Sequence, residues 1–209
     1  GLESGDPASL KRLKKHLTVE ENKKAIQLLR EYGIEPTYGF IMFEPHSTLE
    51  SVRNNFVFLK EMGIMTTPAV TAHLLHHRQT LFQGTPDYQT MIRETPCSGR
   101  DISFSNYETL YTIKDQKVEA FSEIITQVCA TALSLLPKTF DCEISMSKVS
   151  AMSSVAELAV INNALISIFE MTLLYFETDE NPLSPEVIQE MSQRLMRDVS
   201  ALGCIPDFL

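Results

Sequence analysis

Apolar residues recur along this chain in two rhythms, helical and continuous, and their order predicts the fold. Leu10, Leu13 and Leu17 share one helical face behind Asp6-Pro7, an acceptor side chain at the N-cap followed by a preset φ at the first helical position. Thr18-Val19-Glu20-Glu21 has the form of a capping box, Ala25, Ile26 and Leu29 follow on an inward face, and Gly33 marks the stop. Thr37 to Phe43 is a compact apolar run between Pro36 and Pro45, which predicts a buried strand. Ser47-Thr48-Leu49-Glu50 repeats the capping signal, and Leu49, Val52, Phe56 and Leu59 keep helical spacing until Gly63. Pro68 and the run Ala69 to Leu75 predict a further strand. Strand end, helix, strand, helix, strand is an alternation that needs right-handed crossovers and gives a parallel sheet with helices outside.

From about Arg78 to Gln116 the rhythm breaks into turns at Gly84-Thr85-Pro86 and Pro96-Cys97-Ser98-Gly99, a long loop region of the kind that lines the active face of a barrel. Beyond it the pattern is wholly helical. Val118, Phe121, Ile125, Val128 and Ala132 form one stripe ending before Pro137. Val155 to Phe176 form a second, and Ser184-Pro185 opens a third with Val187, Met191, Leu195, Val199 and Leu202. The expected fold class is therefore α/β, with a loop-rich α/β domain over 1–115 and an all-helical C-terminal domain over 116–209.

Composition narrows the function classes. The chain has 209 residues with 44% hydrophobic content, enough for a substantial core. A net charge of -9 argues against wrapping a nucleic-acid backbone, because that affinity comes from clustered Lys and Arg. The dense basic run Lys11-Arg12, Lys14-Lys15-His16 suits one small anion at most. Ala151 to Phe176 is long enough to span a bilayer but carries Glu157, Asn162, Asn163 and Glu170, so a buried helix of a soluble, non-membrane protein is expected. Cys97, Cys129, Cys142 and Cys204 fit neither a zinc nor an iron–sulfur spacing. They read as reduced, buried thiols, which together with the absence of a visible leader gives a cytoplasmic expectation.

Three segments taken in order resemble the radical S-adenosylmethionine (SAM) enzymes, and within them the group with a cobalamin-binding domain. They are Gly1-Leu2-Glu3-Ser4-Gly5 with Leu10-Lys11-Arg12-Leu13-Lys14-Lys15 and Thr18-Val19-Glu20; Tyr38-Gly39-Phe40-Ile41-Met42-Phe43-Glu44-Pro45 with Ser47-Thr48-Leu49-Glu50 and Phe58-Leu59-Lys60; and Gly84-Thr85-Pro86. The resemblance covers roughly residues 1–88. It implies the second half of a partial (βα)6 TIM-like barrel that starts at the end of the fourth strand, with a fifth strand at Thr37 to Phe43 and a sixth around Ala69 to Leu75. It also implies that Glu3, beside Ser4, meets the SAM ribose, that Lys15 meets the SAM carboxylate, and that the Ile41 strand lies against the adenine. A carboxylate suits vicinal hydroxyls, a cation suits a carboxylate, and an apolar strand suits a flat base.

The cluster-binding Cys-x3-Cys-x2-Cys run of that family is not in these residues, so no metal ligand is assigned here. The resemblance then implies that the 4Fe-4S cluster and cobalamin belong to an intact parent with an N-terminal barrel half. Catalytic residues stay unassigned. On this reading the chain is a fragment of a cobalamin-dependent radical SAM enzyme acting on a small-molecule substrate by methylation or rearrangement. The alternative is a non-catalytic remnant or interaction module that keeps the fold without a cluster.

Other constellations carry less. His73, His76 and His77 form a local group, and on a helix His73 and His77 would share a face suited to a metal or a pocket. His46 stands at the mouth of the fifth strand. Ser103, Ser105 and Tyr107 lack a partnered His and Asp, so nucleophilic catalysis finds no support, and Glu177, Asp179 and Glu180 read as a solvated loop.

Overall fold

The computed structural model describes residues 1–94, 102–103, 108–109, 111–136, 155–178 and 185–202. The Pro96 to Gly99 turn, Cys97, Cys142, Cys204, Ser105, Tyr107, Asp179, Glu180, Ser184, and the side chains of Ser103, Val187, Met191 and Leu202 lie outside the described residues. The elements are α1 (Pro7–Arg12), α2 (Val19–Glu31), α3 (Leu49–Glu61), α4 (Pro68–His76), β1 (Leu81–Phe82), α5 (Pro86–Glu94), β2 (Ile102–Ser103), β3 (Glu108–Thr109), α6 (Gln116–Ser134), α7 (Val155–Thr178) and α8 (Pro185–Leu202).

Most of the local signals that open these helices act as the sequence predicts, but at α3 the capping pair is Thr48 with Ser51, one residue on from Ser47 and Glu50. Asp6 accepts from the Ser9 N–H at the start of α1, and Thr18 and Glu21 close a reciprocal capping box on α2. Thr48 caps α3 with Ser51 as its box partner, and Asp115 caps α6. Three helices end in the same way. After α2 and α3, Gly33 and Gly63 take φ of 71° and 58°, and the residue after each bonds back across the last turn. Lys14 stands in the corresponding place after α1, with φ of 54°.

The run Ala69 to Leu75 is a helix and not the sixth strand. Thr67 accepts from the Val70 N–H, Pro68 begins the first turn, and Thr71, Ala72, Leu74 and Leu75 are buried. A short apolar run bounded by proline fits a buried helix as well as a buried strand, and here the cap and the tight packing against α6 and α7 decide for the helix. Strand-like pairing passes to the residues just after it. The Met42 and Phe43 N–H groups both donate to the His77 carbonyl, and the Gln79 N–H donates to the Phe43 carbonyl at 2.7 Å. Among the described residues, parallel pairing amounts to two isolated bridges, Glu3 with Phe40 and Phe43 with Arg78, so Thr37 to Phe43 is not a continuous strand. Within the loop region, β1 and β2 flank β3 in a small antiparallel sheet, with α5 beside β1.

The C-terminal part is helical as expected. Val118, Phe121, Ile125, Val128 and Ala132 of α6 are all buried. The main core runs without a break from Ile26 and Phe40 through Phe121 to Phe176 and Val199, so packing is continuous across residues 115 and 116. Over Leu158–Thr178, α7 is long and apolar enough to cross a membrane by length and composition. In this fold it packs Ile161, Leu165, Phe169, Leu173 and Phe176 into the core, and Asn162, Glu170 and Glu177 have partners, whereas the buried Thr172 Oγ1 has none among the described residues. Asn162 accepts from Thr71 Oγ1 at 2.6 Å and donates to the Met65 carbonyl, while Glu170 pairs with Lys60 and Glu177 with Arg53.

Candidate functional site

The two bridges bring the first five residues, the 39–47 segment and the 77–79 segment to one junction, with the end of α1 beside it. Glu3 adopts φ of 65°, a conformation unusual for a residue with a Cβ. It is held there from both sides: its N–H donates to the Gly39 carbonyl at 3.0 Å, and its carbonyl accepts from the Ile41 N–H at 2.7 Å. Its carboxylate meets Lys15 Nζ at 3.0 Å. Three of the sequence-predicted residues, Glu3, Lys15 and Ile41, therefore gather in one place. Ser4 points the other way: it is buried, donates to Asn55 Oδ1 at 2.7 Å and accepts from the Asp6 N–H.

Asn55, on α3, is the residue that sequence reasoning missed. Its Oδ1 accepts from Ser4 Oγ and from the Gly5 N–H, and its Nδ2 donates to the carbonyls of Ile41 and Met42. One buried amide thus fixes the Glu3 segment against the Ile41 segment. Gly5 completes the fit, because a Cβ there would fall 2.3 Å from the Phe58 Cβ.

Below the junction lies a second polar centre that the sequence did not announce. Glu44 is buried and accepts from Ser9 Oγ at 2.9 Å and from Arg12 Nε at 2.7 Å. Arg12 also reaches Ser9, so the three side chains satisfy one another. This centre forms part of the wall of a cavity of about 190 Å³ between α1, the 44–46 turn, Gln79 and α5. His46 borders that cavity and lies 3.3 Å from Glu94, whose carboxyl is held below its ordinary range chiefly by Lys114. A broader groove of about 640 Å³ runs along the other side of α1 toward Val19.

His73 and His77 lie close together, with ring centroids 4.9 Å apart, while His76 bonds back to the Ala72 carbonyl. Among the described residues no group of three or more His, Cys, Asp or Glu side chains is arranged to hold a metal ion. Burial, then the neighbouring His73 and His76, push the His77 ring below its ordinary pKa of 6.5, against a smaller opposing pull from Glu3. The unfolded chain then binds more protons at His77 than the folded one just below pH 6.5, so stability rises with pH through that window and is lost as pH falls. Urea unfolding between about pH 5 and about pH 7.5 is expected to show this slope, and His77→Gln is expected to flatten it.

Cys129, the free cysteine among the described residues, sits in the core of α6 with its thiol pushed up to about 12 by burial. A buried, protonated thiol does not suit cluster ligation. The described residues therefore do not fit an iron–sulfur cluster, whereas the Glu3, Lys15 and Ile41 junction brings together a carboxylate, a cation and an apolar side chain.

No protein-family model and no curated protein sequence matches this chain. Among solved structures it is similar to the cobalamin-dependent S-adenosylmethionine radical enzyme OxsB, determined with aqua-cobalamin bound. The sequence identity is 16% and the TM-score 0.59, and the match covers 96% of this chain and 37% of that one. The likeness is one of fold, and this chain spans little more than a third of the enzyme's length.

Proposed function

We propose that this chain is part of a cobalamin-dependent type of radical SAM enzyme, forms the second half of its partial barrel with the helical region behind it, and contributes to its SAM site. The observation that supports the reading best is the 3.0 Å approach of Lys15 to Glu3 at the junction of the bridged segments, where the resemblance puts the groups that meet the SAM carboxylate and ribose. Bound SAM supplies a sulfonium whose carbon–sulfur bonds are the reactive ones. The work of this chain's residues is to bind and orient it. The Glu3 carboxylate keeps acceptor capacity for ribose hydroxyls beyond its one ion pair. Lys15 divides its charge between Glu3 and an incoming carboxylate, and Ile41, half-buried with its N–H already spent on Glu3, offers an apolar face to the base. The cluster and cobalamin belong to other parts of the enzyme on this reading.

The test is a titration of SAM into the gene product that carries this chain, with its cluster reconstituted. Glu3→Ala and Lys15→Ala are each expected to weaken binding by about ten- to a hundredfold, the worth of one charge-assisted hydrogen bond. Failure of the unaltered protein to bind SAM, or indifference of binding to both substitutions, would overturn the reading.

A further inference from the structure

The three helix ends described above differ in one respect that points to a ligand. In each, the residue in the left-handed conformation donates to the carbonyl three residues back, and the next residue closes the wider bond: Gly33 to Arg30 with Ile34 to Leu29, Gly63 to Lys60 with Ile64 to Leu59, and Lys14 to Lys11 with Lys15 to Leu10. Two of the three use glycine, which adopts positive φ without strain. The third uses lysine, whose Cβ costs about 1–2 kcal/mol in that conformation. No Gly33 or Gly63 side chain is missed, since a Cβ at either would meet nothing within 4 Å. Lys14, an exposed residue, lines the 190 Å³ cavity and the 640 Å³ groove as well.

The charges facing that cavity complete the argument. Arg12 is paired with Glu44, His46 lies beside Glu94, and Asp87 accepts from Gln79 Nε2 at 3.1 Å. Among the described residues, Lys14 alone of the cations lining the cavity has no carboxylate within ion-pair distance. We propose that Lys14 is an anchoring residue for the oxyanion of a small molecule, carboxylate or phosphate, that enters this cavity. Gln79 lines the same cavity as a neutral polar partner, Thr90 lines it with its hydroxyl donated to the Pro86 carbonyl, and Leu81 and Met91 form the apolar part. Calling that molecule the substrate rests on the function proposed above, while the anion site itself does not.

Amide-shift NMR titrations of the full chain with inorganic phosphate and, separately, with acetate test this at low ionic strength. Saturable shifts are expected around Lys14, Gln79 and Thr90. Lys14→Gly is expected to weaken the binding about tenfold and at the same time raise the melting temperature by about 2–4 °C, because the strain is relieved. Lys14→Arg is expected to keep the binding. Tighter phosphate than acetate assigns a phosphorylated ligand and the reverse a carboxylic one. Absence of saturable shifts with both anions, or equal affinity in Lys14→Gly, would overturn the assignment. A protein that shows these shifts but takes up no SAM leaves the anion site standing without the proposed function; one that binds SAM, without the shifts, does the opposite.

Discussion

Replacing Phe121 by alanine is expected to lower the unfolding free energy by about 3–5 kcal/mol, the usual range for a fully buried aromatic. Phe121 is completely buried on α6 and meets three other rings: Phe43 at 6.0 Å, Phe169 at 5.0 Å and Phe176 at 5.6 Å between centroids. All three approach edge to face, so the loss includes quadrupolar contacts beyond area burial. Phe43 belongs to the bridged segment under the candidate site, whereas Phe169 and Phe176 belong to α7. The ring therefore joins the site-bearing half to the helical half. Because the core is continuous there, denaturation followed by far-ultraviolet circular dichroism should show one cooperative transition shifted as a whole. A change below about 1 kcal/mol, or a variant that melts in two separate steps, would show that the halves are stabilised independently.

The difference between what the sequence displays and what it conceals is visible in the same elements. Asp6, Thr18, Thr48, Gly33 and Gly63 declare helix ends because their chemistry acts within one turn of the chain. The α6 stripe is legible for the same reason, since its period is local. Ala69 to Leu75 misleads because its polar residues, Thr71 and His73, stand two apart as on one side of a strand, and the rest is apolar without a helical stripe. At the candidate site, Glu3, Lys15 and Ile41 are proposed through an ordered motif. Ser4 stands in that motif, yet turns inward to Asn55. Neither Asn55 nor Glu44 has a local signature. Asn55 is a polar residue within an apolar helix pattern, and its partners lie some fourteen and fifty residues away in sequence. Glu44 becomes a buried carboxylate only because α1 delivers Arg12 and Ser9 to it.

Asn55 is where the second large effect is expected, because it couples stability to the site. Asn55→Ala leaves the Ser4 hydroxyl, the Gly5 N–H and the Met42 carbonyl without their partner in a buried place, and the Ile41 carbonyl in a half-buried one. A buried group left unsatisfied costs about 1–3 kcal/mol, and with partial relaxation of the four a total of about 3–5 kcal/mol is expected. Alanine also opens a cavity, so Asn55→Leu serves as the companion variant, filling a similar volume while making none of the four bonds. If the amide is the clamp, both variants unfold at clearly lower urea concentration; a leucine variant as stable as the unaltered chain would mean that volume alone matters at this position. Function separates the two effects further. The Glu3 carboxylate keeps its place because its segment is tied through Ser4 and Gly5 to Asn55, so, on the proposed function, SAM affinity should fall more in Asn55→Leu than in a Phe121 variant of equal stability loss. Equal SAM affinity in the two variants would remove Asn55 from the positioning of the site and leave it a purely structural residue.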